Sequence, residues 1–363
     1  TAEDPASLYT NRSRLDKVQV AIQENPSGDG NWWNGSAFAI SHQSPEPPSA
    51  WLDASGTING EIGPVNWWLA DASTPSWSNN TQYRVRVRAI DRSGNISTMT
   101  ALEQIFVYDT SRPEISITTP SLSNYNSLDE IRGTAADTNS LGSIQKVEIR
   151  IRNYTVGLWW DNSNQAFLIS DADKETAWFV PKNQSGNWTL WVQTFTWSSG
   201  NYYEINARAL DNAGLYSLNN STRTFRFDNE IPNSRATFPA VSSYVRSLVT
   251  ISGTASDVPP VASGTGYGGT GLSAGTIQVA IRDNYRNKWW SGAAFNADTP
   301  QPFTYAGSVT PEPVEWYYDS SALQNEILSG ASYYVTSRSR DNALNQETFF
   351  NVRGSTFIVD TTK

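Results

Sequence analysis

The chain has 363 residues, 38% hydrophobic and 17% charged, a composition that excludes a disordered chain and a length that exceeds one β-sandwich and suits three of roughly 100–120 residues each. A net charge of −9 argues against nucleic acid, which calls for a concentrated basic surface. With no Cys and a single His, His42, disulfides, thiolate or multi-His metal sites and most His-based catalysis are excluded, and no apolar run of about 18 residues is present to span a membrane.

In chain order, Val18, Val20 and Ile22 alternate with polar residues, the period of a strand with one buried face. Trp32–Trp33 and Phe38 follow in "WWNGSAF", then Trp67–Trp68. Next come "YRVRVRAIDRSGN" from Tyr83, carrying Arg88 and Asp91, and a closing strand, "EQIFVYDTSRP". A Pro-led strand and Gly133–Asp137 ("GTAAD") open a second pass through the same order: Val147, Ile149, Ile151; Trp159–Trp160; Phe167; Trp178–Phe179; Tyr203, Arg208, Asp211; "RTFRFDNEIP". The third pass begins with Gly253–Asp257 ("GTASD") and repeats the set: Ile277, Val279, Ile281; Trp289–Trp290; Phe295; Trp316–Tyr317; Tyr333, Arg338, Asp341; "STFIVDTTK". So many matched columns define three repeats, 1–110, 111–229 and 230–363.

Short alternating strands separated by Asn, Asp, Gly, Ser and Pro clusters, with no amphipathic helix of ten or more residues, predict an all-β chain of tandem immunoglobulin-like β-sandwiches. The "DRSGN" and "DNAGL" turns supply Asp to bond the backbone and Gly for positive φ, as a tight hairpin requires. The pattern running from Tyr83, Tyr203 and Tyr333 through Arg and Asp to the hairpin resembles the last hairpin of bacterial Ig-like and fibronectin type III-like repeats of large extracellular surface proteins. "WWNGSAF" is similar to a hairpin of such proteins. The resemblance implies that Tyr83, Tyr203 and Tyr333 are tyrosine-corner residues at the start of strand F.

Neighbours on a strand face opposite sides, so one Trp of each pair, Trp32/Trp33, Trp159/Trp160 and Trp289/Trp290, is expected in the core. The other is expected outward, as a loop cover or a contact aromatic for glycans or partner chains. Arg88, Arg208 and Arg338 are placed to stack on aromatics of the same sheet. In an Ig-like sandwich the incoming linker, the loop after strand B and the last hairpin share one end. Asp109, Asp137 and Asp211 should therefore gather in the second repeat, and Asp228, Asp257 and Asp341 in the third. Such trios suit calcium at the inter-repeat junctions; the alternative is that each Asp caps its own turn.

Gly264, Gly266 and Gly269 match a dinucleotide fingerprint without its strand–helix context, and Gly271–Gly275 ("GLSAG") matches a nucleophile elbow that a strand follows instead of a helix. His42 sits in a polar loop and reads as an exposed residue without function. Asn34, Asn95, Asn153 and Asn187 open Asn-x-Ser/Thr sequences that permit glycosylation.

Thr1–Asp4 ("TAED") aligns with Thr134–Asp137 and Thr254–Asp257, so the first repeat is expected to lack its N-terminal strand or strands. The missing strand comes either from a longer chain of which this is a window or from another subunit by strand complementation at the open edge. The reading that follows is a non-enzymatic structural or adhesive segment of an extracellular, surface or filament-forming protein, with copies of itself, neighbouring repeats or surface glycans as partners. The alternative is a set of ancillary carbohydrate-binding modules of a larger secreted hydrolase.

Overall fold

The computed structural model describes residues 13–97, 103–260, 267–348 and 354–362, together with Glu3. The "TAED" alignment apart from Glu3, and Gly264 and Gly266, lie outside the described residues. Nearly every element is a β-strand, and the chain is an all-β series of Ig-like sandwich repeats. Compactness divides it into two units. One comprises Thr1–Glu114, Ala135–Lys146 and Ala209–Asn219; the other comprises Ile115–Thr134, Val147–Arg208 and Asn220–Lys363.

In the first repeat, β1 (Leu15–Glu24), β2 (Trp32–Trp33), β3 (Phe38–Ile40), β4 (Leu52–Asp53), β5 (Thr81–Asp91) and β6 (Glu103–Tyr108) form one antiparallel sheet, in the order β3-β2-β1-β5-β6 with β4 beside β1. The described residues of this repeat contribute no second sheet. Val20 and Ile22 pack with Trp33 against Phe38, Trp67, Leu69 and Trp77, while Val18 packs with Leu15 and Ile58. The opposite face is also closed, which the alternating pattern did not indicate. Gln19 accepts from Arg88 at 2.6 and 2.8 Å, and fully buried Gln23 is held by Arg84 and by His42. His42 therefore braces this face, its other ring nitrogen 3.3 Å from Asp29, and is not a free loop residue.

The second repeat contains β7 (Glu114–Thr119), β8 (Asn124–Tyr125), β9 (Glu130–Ala136), β10 (Ile144–Asn153), β11 (Leu158–Asp161), β12 (Ala166–Ile169), β13 (Lys182–Asn183), β14 (Trp191–Thr194), β15 (Asn201–Asp211) and β16 (Ser221–Phe227). Its sheets run β13-β14-β9-β7 and β12-β11-β10-β15-β16-β8, and β8 joins β16 in parallel. This is the Ig-type arrangement of an A-B-E-D sheet and a C-F-G sheet, with the first strand switching sheets to lie parallel to the last.

The third repeat reproduces it with β17 (Asn233–Phe238), β18 (Tyr244–Val245), β19 (Thr250–Ser256), β20 (Gln278–Asp283), β21 (Lys288–Trp290), β22 (Phe295–Ala297), β23 (Phe303–Thr304), β24 (Val314–Asp319), β25 (Ser332–Arg338) and β26 (Ser355–Val359), in sheets β17-β19-β24 and β18-β26-β25-β20-β21-β22. One short helix, α1 (Ser321–Glu326), is capped by Ser320.

Tyr83, Tyr203 and Tyr333 are all at most 1% exposed, and each hydroxyl accepts from a backbone N–H five residues upstream: Ser78 at 2.9 Å, Ser198 at 3.1 Å and Leu328 at 2.7 Å. That bond gives the hydroxyl of a buried tyrosine a partner and fixes the chain where it turns into the F strand.

Candidate metal centres and contact aromatics

The Ig-type strand order brings the ends of strands B and F of one repeat to the linker that leaves strand G of the repeat before it, and each carries an Asp. Asp137 follows β9, Asp211 ends β15 and Asp109 follows β6; one carboxylate oxygen from each lies within 4.8 Å of the others. In the other unit Asp257 follows β19, Asp341 opens the hairpin after β25 and Asp228 follows β16, with the same mutual reach.

In the first trio the hairpin and linker use only part of each carboxylate. The Leu215 N–H donates to Asp211 Oδ1 at 2.8 Å, while Asp211 Oδ2, on a fully buried residue, has no hydrogen-bond partner. The Asn139 N–H donates to Asp137 Oδ1 at 3.0 Å, and Asp137 Oδ2 is likewise buried without a donor. Asp109 Oδ1 accepts from the Ser111 N–H and from the Asn139 side chain. Asn139 also donates to Asn79 of the first repeat, which accepts from the Thr110 N–H at 2.7 Å, so the linker is stitched to both repeats it joins. Burial, reinforced by the charges of Asp109 and Asp211, pushes the Asp137 carboxyl above its ordinary range.

The second trio is deeper: Asp228, Asp257 and Asp341 are each at most 1% exposed. Asp228 Oδ2 accepts from the N–H and hydroxyl of Thr270 at 2.7 and 3.0 Å. Asp257 accepts from the N–H groups of Val258 and Gly271, and Asp341 from the N–H and amide of Asn345 at 2.8 and 2.7 Å. The Asn345 amide also reaches the Asp228 carbonyl at 2.8 Å. None of these donors is cationic. Burial, followed by the charge of Asp228, pushes Asp257 up to about 7, and burial raises Asp341. Three buried carboxylates with no cationic donor among the described residues are costly, and a bound cation or proton relieves them.

Two features that sequence reading missed support each trio. A Cβ on Gly142 would lie 2.3–2.5 Å from the Asp137 carboxyl, and one on Gly269 would lie 2.4 Å from Asp257 Oδ2, so each loop can lean on its Asp only as glycine. The correspondence is hidden because the third repeat's longer Gly-rich loop moves its glycine further from the Asp. Asn139 and Thr270 had no signal, being two among many polar loop residues.

Asp91 of the first repeat shows what turn capping alone looks like. It accepts from Ser13 Oγ at 2.6 Å, Asn95 Nδ2 at 2.7 Å and the N–H groups of Ser93 and Asn95. The Ser13 and Asn95 side chains, in that order, draw it down to about 2. Asp211 and Asp341 keep the same backbone bond to the residue four positions on, but each also faces two further carboxylates.

The expectation of one outward Trp per pair needs correction. Trp32 and Trp33 are 1% and 8% exposed, and Trp289 and Trp290 are 4% and 0% exposed. Trp159 is 2% exposed, leaving Trp160 alone as partly open. The outward rings are roofed by arginines: Arg150 lies 4.6 Å from the Trp159 ring centroid, Arg86 5.9 Å from Trp32 and Arg282 6.0 Å from Trp289. Arg88 stacks on Trp51 at 4.1 Å and Arg208 on Trp178 at 4.2 Å, whereas Arg338 donates to Gln278 at 2.7 Å. These five tryptophans are thus held inside the protein and are not available as contact aromatics.

No family model matches the chain, and no curated protein matches it in sequence. Among solved structures it is similar to a tetra-tandem repeat from the extending region of a large adhesion protein (12% identity, TM-score 0.33, covering 97% of this chain and 69% of that one). It is also similar to a 1.5-MDa bacterial ice-binding adhesin (12%, 0.31, 97% and 89%) and to the fibronectin(III)-like modules of Clostridium thermocellum CbhA (13%, 0.28, 68% and 94%).

Proposed function

We propose that the chain is a non-catalytic structural and adhesive segment of an extracellular repeat protein, in which calcium at Asp109/Asp137/Asp211 and at Asp228/Asp257/Asp341 locks the linkers between repeats. The carrying observation is the recurrence of a three-carboxylate cluster at the same end of two successive repeats, each built from the incoming linker, the end of strand B and the F–G hairpin. The residues present fit a hard cation. Asp137 and Asp211 each hold a buried, unpartnered oxygen in the first cluster, and among the described residues no cationic side chain is seen to donate to either cluster. Calcium takes six to eight oxygens, so backbone carbonyls and water would complete the shell. Extracellular calcium modules work at Kd values of roughly 10⁻⁴–10⁻³ M, and this reading expects the two sites to bind in that range.

Each linker carries a carboxylate of its cluster, so an ion there ties linker, strand and hairpin into one body. The same reading includes completion of the first repeat, whose described strands form a single sheet, by a strand from a neighbouring repeat or another copy of the chain. Differential scanning calorimetry in chelator and in millimolar calcium tests the proposal. Calcium should raise the melting temperature, and equal concentrations of magnesium should raise it less. An identical melt in both buffers would remove the ion from the account.

A further inference from the structure

The position that opens Trp160 is on strand E. In the third repeat Gly253 faces Trp316 and Ile251 faces Tyr318; in the second, Gly133 faces Trp191 and Ile131 faces Gln193. Gln193 therefore stands where the third repeat has Tyr318. The Tyr318 hydroxyl accepts the indole N–H of Trp290 at 3.0 Å, and Trp290 is fully buried. In the first repeat the equivalent indole, Trp33, donates to the Ser73 carbonyl at 2.8 Å. The Trp160 indole has no acceptor among the described residues, and a cleft of about 420 Å³ opens over it.

The cleft has an aromatic floor, with Trp160 set edge-on to Phe195 at 4.7 Å, and walls of Asn162, Gln165, Gln193, Thr194, Thr196 and Asp129. Its polar groups are held in place. The 161–165 hairpin is fixed by Asp161, which accepts from the N–H groups of Ser163 and Asn164 at 2.9 and 3.2 Å and from the Asn164 amide at 2.7 Å. The Gln193 amide is fixed by donation to the Thr194 carbonyl at 2.8 Å, which leaves its Oε1 to accept. The Asp129 carboxylate accepts no hydrogen bond among the described residues.

We infer that this cleft binds a neutral carbohydrate. Its volume lies in the range of small-ligand sites. A pyranose has an apolar face for an aromatic floor and a rim of hydroxyls that both donate and accept, matching side-chain amides, threonine hydroxyls, one carboxylate and an indole N–H. The lining contains no cation, and Asp129 repels anions, so phosphorylated, sulfated or sialylated glycans are disfavoured. A purely apolar ligand would strand the wall groups without partners. The inference rests on the adhesive half of the proposed function and names its ligand class; it needs no metal.

The test is binding of the whole chain to an array of neutral and anionic oligosaccharides, in calcium and again in chelator, for the parent, Gln193→Tyr and Asp129→Ala. Gln193→Tyr installs the group that plugs the third repeat, so it should fold and melt at or above the parent while losing at least about tenfold in affinity. Asp129→Ala, at an exposed position, should weaken binding with an unchanged melt. Retention of a neutral glycan in both buffers, lost in Gln193→Tyr, supports the cleft. No neutral glycan retained, retention unaffected by Gln193→Tyr, or retention of anionic glycans alone overturns it. A chain that binds calcium but no glycan loses the cleft only, and a glycan binder indifferent to calcium loses the junction ions only.

Discussion

Replacing Asp211 by Asn separates an ion site from a set of turn caps. The hairpin bond survives, because the Leu215 N–H can still donate to the retained oxygen at the Oδ1 position. Only the unpartnered Oδ2 is exchanged, so the variant removes a charge without removing a hydrogen bond. Two carboxylate oxygens within 4.8 Å repel by about 3 kcal/mol at an effective permittivity of about 20. Asp109 and Asp137 are part-exposed, and screening reduces the net gain to roughly 1–2 kcal/mol. In chelator, Asp211→Asn should therefore melt a few degrees above the parent. In calcium the order narrows or reverses. The parent gains about 0.4–1.4 kcal/mol from this site at one to ten times Kd, while the variant presents an amide N–H₂ where the cation needs an oxygen. Thermal melts of both proteins in both buffers measure the crossover. If Asp211→Asn melts below the parent in chelator and calcium moves neither, the carboxylate is a hairpin cap and the clustering has no ionic role.

Gly253→Ala would place a methyl 2.1 Å from the Arg235 carbonyl and 2.2 Å from Trp316, and Gly133→Ala would meet Trp191 and the Ser116 carbonyl at 2.1 and 2.3 Å. Each should cost about 3 kcal/mol or more by urea denaturation, and shortening the facing Trp should recover part of it. Tyr333→Phe removes the bond from the Leu328 N–H and should cost about 0.5–1.5 kcal/mol, with Tyr83→Phe and Tyr203→Phe behaving alike; three unequal losses would show that the corner is not a shared device. Asp91, drawn down to about 2, contributes stability that is present above its ordinary pKa of 3.8 and lost as pH falls through about 2. Ser13→Ala should raise that midpoint in a carboxyl NMR titration, and an unmoved Asp91 would remove Ser13 as the main donor.

The repeated columns carried most of the fold because each is a physical requirement of the sandwich. The tyrosines bury a ring whose hydroxyl ties down the chain five residues upstream, the Val/Ile triplets fill one face of strand C, and the Asp positions follow from where strands B and F and the incoming linker must meet. The tryptophan exposure was not legible, because period-two reasoning gives direction without saying what lies above the outward face. Arg86, Arg150 and Arg282 roof that face, so facing outward did not mean facing water. The Trp160 cleft was equally hidden. It depends on Gln193 replacing a tyrosine of the third repeat, a match visible only once the register against β9 and β19 is known. His42 looked like a loop residue because its tie to Gln23 is a tertiary contact with no periodic signature.

The most direct test of the junction account is a calorimetric calcium titration of the calcium-stripped chain, with Asp211→Asn and Asp341→Asn alongside. The account predicts two ions per parent chain, one for each carboxylate trio, and one ion for each variant. A parent that takes up no calcium, or binding untouched by either substitution, would contradict it.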